Sequence, residues 1–352
     1  MALKLGVIGC GGIANSHMHG YLELGDAVEI VACCDINFKK ANEFADRYGI
    51  PNRYDNCYDM LKNHQLDIVS VCTWNSAHAE CTIAALQAGC NVLCEKPMAM
   101  NAKEAEAMQA AAEKAGKLLM LGFVRRHGRD AAKARRLVTD GALGEVYYAK
   151  ASYLRRSGYP GGWFGDKSRS GGGPLIDLGV HIIDLSRYIM GSPKPVTVFG
   201  ATFDKIGARA HITEGGEWQS QTEVDQPIFD VEDLAVAMIR FDNGAVLSVE
   251  TSFNLNMKAP SNTIEFFGSK AGLTLDPFEL HTEYDNAIAD IVIHGDNGFH
   301  FQPDFDKEVK NFVESVQGDA ECKAKAEDGV LLMKILDAVY ESAKTGKSVD
   351  VV

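Results

Sequence analysis

The chain begins with short, unbroken apolar runs. They are set between segments whose apolar residues recur with a helical period. The runs at 3–8 (LKLGVI), 28–34 (VEIVACC), 67–72 (DIVSVC), 91–94 (NVLC) and 118–123 (LLMLGF) read as strands buried on both faces. Between them, 13–24, 39–48, 78–88 and 102–115 read as helices, and Gly49 with Pro51 stops the second. Buried strands alternating with amphipathic helices predict a doubly wound parallel sheet with helices on both faces.

The texture changes near residue 124. Residues 146–154 alternate as a strand, 155–173 form a loop rich in Gly, Arg and Ser, and 174–190 read as an apolar helix. Alternating strands follow at 196–203, 234–241, 245–253 and 263–267, with the turn Asp242-Asn243-Gly244 joining two of them as a hairpin. Helices near 305–316 and 329–343 complete the pattern, and no repeat or low-complexity linker interrupts it. The expected division is an α/β domain over 1–124 and an α+β domain with a large, mostly antiparallel open sheet over 125–352.

A length of 352 residues, 46% of them hydrophobic, leaves room for two buried cores. The balance of 35 basic to 48 acidic residues gives a net charge of −13, which repels phosphate backbones and anionic lipid. Nucleic acid and membrane are therefore not expected partners. The first residues run straight into a glycine loop without an A-x-A cleavage site, so a cytoplasmic protein is expected. The nine cysteines are odd in number, lack a C-x-x-C pair and sit mostly in apolar runs, so neither a disulfide framework nor a zinc site is expected.

That loop is GCGGIA, residues 9–14. It follows a buried strand and opens a helix, as a dinucleotide fingerprint requires. Gly9 permits the tight turn, Gly11 lets backbone approach a pyrophosphate, and Ala14 allows close helix–strand packing. Gly12 and Ile13 contribute N–H groups at the helix start. Asp35 ends the second strand, where a carboxylate accepts hydrogen bonds from a ribose. The first domain therefore reads as a Rossmann domain. A carboxylate repels a 2′-phosphate and no arginine follows at 36–38, which favours NAD; NADP would need Lys39 or Lys40 to reach it.

Two further constellations carry chemistry. Glu95-Lys96-Pro97 follows the fifth apolar run, at the sheet edge where doubly wound folds bind ligands, and the proline restricts the lysine's backbone. Taken alone, the tripeptide is equally a surface turn. In GGGPLIDLGVHIIDL, residues 171–185, Asp177, His181 and Asp184 share one helical face. A histidine beside a carboxylate suits acid–base work near neutrality. A satisfied polar stripe reads the same way, and a metal triad lacks a further ligand.

In order and spacing, these segments resemble the glucose–fructose oxidoreductase / inositol dehydrogenase (Gfo/Idh/MocA) family. The likeness includes VIGCGGIA (7–14), CTWNSAHAE (72–80), VLCEKPMAMNAKEA (92–105), the 171–181 helix and DVEDLAVAMIRFDNGAV (230–246). It implies NAD-dependent hydride transfer to or from a secondary alcohol of a sugar, glycoside or cyclitol. In that reading Lys96, Asp177 and His181 are catalytic, His181 being the acid/base, and a cis bond joins Lys96 to Pro97. The cofactor-binding set becomes Gly9, Gly11, Gly12, Ile13, Asp35, Thr73, Asn75, His78, Glu95, Lys96 and Arg126. Trp74 stands where the family usually has proline, which puts the local path in question. Lys96, Asp177 and His181, with Arg156, Tyr159 and Trp163 from the 155–173 loop, form the expected substrate set. A homo-dimer or homo-tetramer is implied. Two alternatives stay open: an NAD-dependent glycosidase acting by transient C3 oxidation, with Tyr159 or another loop residue as the extra base, and a non-catalytic NAD-binding sensor.

Overall fold

The computed structural model describes residues 2–209, 211–212, 219–220 and 228–351. Described residues within 1–124 and 301–333 gather into one compact unit, and those within 125–220, 224–300 and 334–352 into a second.

The first unit holds six strands: β1 (Leu3–Ile8), β2 (Val28–Cys34), β3 (Asn52–Tyr54), β4 (Ile68–Val71), β5 (Asn91–Glu95) and β6 (Leu119–Gly122). All pair in parallel, in the order β3-β2-β1-β4-β5-β6. The order reverses between β1 and β4, the place where doubly wound sheets open a crevice at their carboxyl ends. All of β4 is buried, as its unbroken apolar character requires. Helices Gly12–Glu23, Phe38–Tyr48, Cys57–Asn63, Asn75–Gln87 and Ala102–Ala115 connect the strands. The last is capped by Asn101, which accepts from the Glu104 N–H at 3.0 Å, while Glu104 accepts from the Met100 N–H just before the cap at 3.1 Å. It ends at Gly116 in the left-handed region.

Helix Phe301–Gln317 also belongs to this unit, although the sequence division at 124 assigns it to the second. It is amphipathic, with Phe305, Val309, Phe312 and Val313 buried. Gln302 donates to the Ser16 carbonyl at 3.0 Å. A linear boundary cannot show a chain that returns to its first unit. Strand β3 and helix Cys57–Asn63 also lie outside the sequence reading, being too short to carry a period.

The second unit is built on nine strands: β7 (Val146–Leu154), β8 (Pro195–Phe203), β9 (Leu234–Phe241), β10 (Val246–Ser252), β11 (Ser261–Gly268), β12 (Gly272–Thr274), β13 (Glu279–Tyr284), β14 (Ala287–Val292) and β15 (Val349–Asp350). Their order is β14-β13-β12-β11-β7-β10-β9-β8-β15. The pair β7–β10 is parallel and the other pairs are antiparallel. One face is buried through Ala149, Ala151, Ile239, Leu247 and Phe266. On the open face Phe199 lies opposite Met238, and both are exposed. Strands β12–β15 and helix Arg129–Thr139 are absent from the sequence reading; β13 is mostly half-buried, β14 is largely exposed, and neither alternates between buried and exposed positions. The helix predicted over 174–190 is a wide π turn, Leu175–Gly179, followed by an α-helix, Val180–Ile189. Helix Ala326–Thr345 divides its residues between the units. Among the described residues no helix is long and apolar enough to cross a membrane.

Candidate active site

The glycine loop has the shape its sequence predicts. Gly9 takes φ +90°, and a Cβ there would stand 2.6 Å from the Cys72 carbonyl oxygen. Gly11 occupies the N-cap position of helix Gly12–Glu23, which no side chain caps and which has no acid in its first turn. A Cβ on Gly11 would meet nothing within 4 Å. Gly12 is exposed and Ile13 half-buried. The helix start thus offers N–H donors, partial positive charge and space to an anion. Asp35 is oriented by two backbone groups: Cys10 N–H donates to Oδ2 at 2.8 Å and Asn37 N–H to Oδ1 at 2.8 Å. Lone pairs remain for ribose hydroxyls. Lys39 is exposed and lies 3.8 Å from Glu43. These residues fit a dinucleotide that lacks a 2′-phosphate.

The 73–78 segment and the Lys96 turn are fastened together within the same unit. Trp74 adopts φ −72°, ψ 160°, so the chain follows the path that a proline would impose. Thr73 is half-buried and its hydroxyl donates to the Trp74 carbonyl at 3.1 Å; Asn75 is buried and opens the next helix. His78 is 0% exposed, with Nδ1 2.7 Å from the Pro97 carbonyl and Nε2 3.1 Å from the Thr73 carbonyl. Burial holds its pKa below the ordinary histidine value, although both carbonyls oppose the shift. Its ring joins the two turns. The Lys96–Pro97 bond is cis. Lys96 is the one half-buried residue in the buried run 92–99. Glu95 is buried. Its Oε2 accepts from the Lys96 N–H at 3.0 Å and its Oε1 lies 2.9 Å from His17 Nε2.

In the second unit, Asp177 and His181 are the half-buried positions of a segment otherwise buried from Gly172 to Arg187. Asp177 lies in the π turn, a conformation often found at functional sites, and His181 in the first turn of the following helix. Asp184 lies one turn further along the same helix. It is buried and bound by Arg126 through Nε at 2.9 Å and Nη2 at 2.5 Å. Arg126, 2% exposed and with Tyr188 beneath its guanidinium, ties the 124–127 turn to the histidine's helix.

Glu232 is the residue of this unit that sequence reasoning missed. Its buried carboxylate accepts from Gly173 N–H at 3.0 Å, Leu175 N–H at 3.2 Å and the Tyr340 hydroxyl at 2.9 Å. Burial raises its pKa although these donors oppose the shift. It satisfies the N–H groups that lead into the Asp177 turn. In the 155–173 loop, Arg156 is exposed and Trp163 stacks on Phe164 with centroids 4.1 Å apart. Arg155 is buried and donates to the Gly158 carbonyl at 2.9 Å. Tyr159 packs edge-on against Phe229, and its hydroxyl faces the Gly162 and Ile228 carbonyls at 3.4 and 3.5 Å.

The sequence and fold match known proteins throughout. Residues 3–123 match the family model described as oxidoreductase family, NAD-binding Rossmann fold, and residues 131–274 match the GFO/IDH/MocA C-terminal domain. The chain is 37% identical over 352 residues to the D-glucoside 3-dehydrogenase of Escherichia coli (strain K12), covering 99% of this chain and 97% of that one. It is 30% identical over 305 residues to the levoglucosan dehydrogenase of Pseudarthrobacter phenanthrenivorans, covering 82% of this chain and 76% of that one. A solved levoglucosan dehydrogenase in complex with NADH and L-sorbose superposes with a TM-score of 0.87 at 25% identity, covering 100% of both chains.

Proposed function

The chain belongs to the Gfo/Idh/MocA family of oxidoreductases, and from that membership we propose that it oxidises a secondary hydroxyl of a pyranoside ring, the C3 hydroxyl of a D-glucoside before others. It is an NAD-dependent dehydrogenase acting on sugar CH–OH groups. The choice of a glucoside rests on the full-length likeness to the D-glucoside 3-dehydrogenase. The observation that carries the chemistry is the pair Asp177 and His181, accessible within a segment that otherwise faces inward.

Bound NAD⁺ supplies the hydride acceptor. The glycine loop and helix start would hold its pyrophosphate, and Asp35 would hold a ribose. In the proposed reaction His181 takes the hydroxyl proton as the carbinol hydrogen leaves with its electron pair, so the alcohol becomes a ketone. Lys96 donates a hydrogen bond to the same oxygen and stabilises its growing negative charge. Asp177 orients a neighbouring hydroxyl. The loop residues Arg156, Tyr159 and Trp163 are assigned to sugar recognition, Trp163 by stacking on C–H faces. The phenol of Tyr159 faces backbone carbonyls, and burial raises its pKa. It therefore makes a poor base for an eliminating glycosidase.

The proposal extends to a homo-dimer or homo-tetramer, supported by the exposed Val196, Phe199, Phe203 and Met238 on the second sheet. It also extends to a reducing, cytoplasmic setting, in keeping with nine free cysteines. The decisive experiment follows reduced nicotinamide with NAD⁺ and NADP⁺ against methyl glucosides, levoglucosan, aldoses and inositols. Turnover with NAD⁺ on a glucoside, yielding a 3-keto product, is the expected result. Release of aglycone without net NADH, or no turnover on the whole panel, rejects the reading.

A further inference from the structure

Three buried side chains of the first unit take no part in the proposed chemistry: His17, Glu95 and Glu308. Each offers a polar atom, and these atoms lie within 4.8 Å of one another. His17 comes from the helix that starts at the glycine loop, Glu95 from the end of β5, and Glu308 from helix Phe301–Gln317. A continuous hydrogen-bonded chain runs through the first two. Tyr21 Oη lies 2.8 Å from Ser70 Oγ, and Ser70 Oγ lies 3.2 Å from His17 Nδ1. His17 Nε2 lies 2.9 Å from Glu95 Oε1, and Glu95 Oε2 accepts from the Lys96 N–H at 3.0 Å. One direction satisfies every group. Tyr21 donates to Ser70, Ser70 donates to Nδ1, and Nε2–H donates to the carboxylate.

We propose that His17 is a positioning residue for Lys96, acting through the Glu95 carboxylate that grips the lysine's peptide N–H, with Glu308 beside them as an uncharged acid. This inference rests on the reading of Lys96 given above. Free rotation of Glu95 would release the Lys96 peptide on one side, while His78 holds the Pro97 carbonyl on the other at 2.7 Å. Burying three polar groups costs desolvation, and apolar packing would stabilise the fold equally well. Their placement next to the lysine gives that cost a purpose, since a displacement of about 1 Å lowers turnover about 100-fold. Glu308 is 0% exposed, and neither of its carboxylate oxygens has a hydrogen-bond partner among the described residues. An ionised carboxylate there would be unpaired and close to Glu95. Burial, and then the charge of Glu95, push its pKa well above the usual carboxylate range. The same three side chains are also a donor set for a divalent cation, which would need Glu308 ionised.

The test compares His17→Leu, His17→Gln, Ser70→Ala and Lys96→Met on a methyl glucoside and its C3-deuterated form. H17L should lower kcat roughly 30- to 100-fold, leave the Kd for NADH within about threefold and raise the primary isotope effect. The amide N–H of H17Q still reaches toward Glu95, so this variant should recover to within about tenfold of wild type. S70A, which removes the hydroxyl that links Tyr21 to His17 Nδ1, should lower kcat about fivefold; it decides the matter if H17L fails to fold. Unchanged kcat in H17L or S70A overturns the proposal. So does an equal loss in H17L and H17Q that follows thermal stability alone. A fully active K96M would instead reject the earlier assignment of Lys96; an inactive K96M beside a normal H17L rejects this inference only. A protonated-carboxyl infrared band present in wild type and absent from Glu308→Gln is expected. Its absence from wild type, or one equivalent of zinc or manganese in the purified protein, overturns the uncharged state of Glu308.

Discussion

The Lys96 turn and the Asp177–His181 segment solve one problem in two ways. Each must present a polar side chain from backbone that is otherwise buried, and each uses a buried carboxylate to hold that backbone. At the first turn Glu95 takes one N–H and leans on His17. At the second Glu232 takes two N–H groups and a tyrosine hydroxyl. The histidine-backed clamp acts on the peptide of Lys96 itself. The tyrosine-backed clamp acts on the entry to a helix, two residues ahead of Asp177. Rigidity at the second site is therefore a property of the segment, whereas at the first it is a property of one peptide bond.

The comparison breaks most severely at the presented side chains. His181→Ala and Lys96→Met should each lower kcat by about 10²–10⁴, read as the rate of NADH formation. NADH affinity should stay within a few-fold, and a variant with full activity removes that residue from the mechanism. Next comes the tyrosine-backed clamp. Glu232→Ala strands two N–H groups and a phenol, at a cost of about 1–3 kcal/mol each. A fall in Tm is expected to exceed that from Glu232→Gln, which keeps one acceptor, and equal Tm values would show that the clamp is idle. Asp35→Ser should raise the KM for NAD⁺ by about ten- to 100-fold and narrow the preference over NADP⁺, as expected when a charge-assisted bond to ribose is lost. An unaltered cofactor ratio argues against that contact.

A smaller effect separates the clamps by pH. The folded-state pKa of Glu308 lies above its unfolded value, so its contribution to stability is fully present below about 4.3 and is lost as pH rises from there toward the folded value. Glu308→Gln never ionises, so its Tm should gain on wild type between about pH 5 and pH 8. A constant difference across that window would mean that the carboxyl carries its charge in the fold. Smallest is the surface term. Phe199→Lys should shift the mass in light scattering toward the monomer and leave Tm nearly unchanged.

Much of this architecture was legible in the sequence. Helix Ala102–Ala115 and strands Val146–Leu154 and Leu234–Phe241 appear at the bounds that periodicity indicates. The glycine loop, Asp35, Lys96, Asp177 and His181 stood out because their chemistry depends on neighbours within a few residues. The clamps did not. Glu95 lies 78 residues from His17, and Glu232 lies 59 from Gly173. No local period links such pairs, and a lone glutamate or histidine in an apolar run has no visible partner until the chain folds. The partners of the motif residues His78 and Arg126 were equally hidden. Both residues sit beside functional turns in sequence, yet their polar atoms are engaged by protein groups.

The Arg126–Asp184 pair carries a consequence for how this chain can change. Losing one member strands a buried charge and costs about 3–5 kcal/mol, whereas replacing both with apolar residues of matching volume is often neutral. Evolution and the protein engineer face the same valley: either single step crosses an unstable intermediate, and only a paired substitution reaches the far side. A double variant such as Arg126→Met with Asp184→Leu is therefore expected to outlive both of its parents.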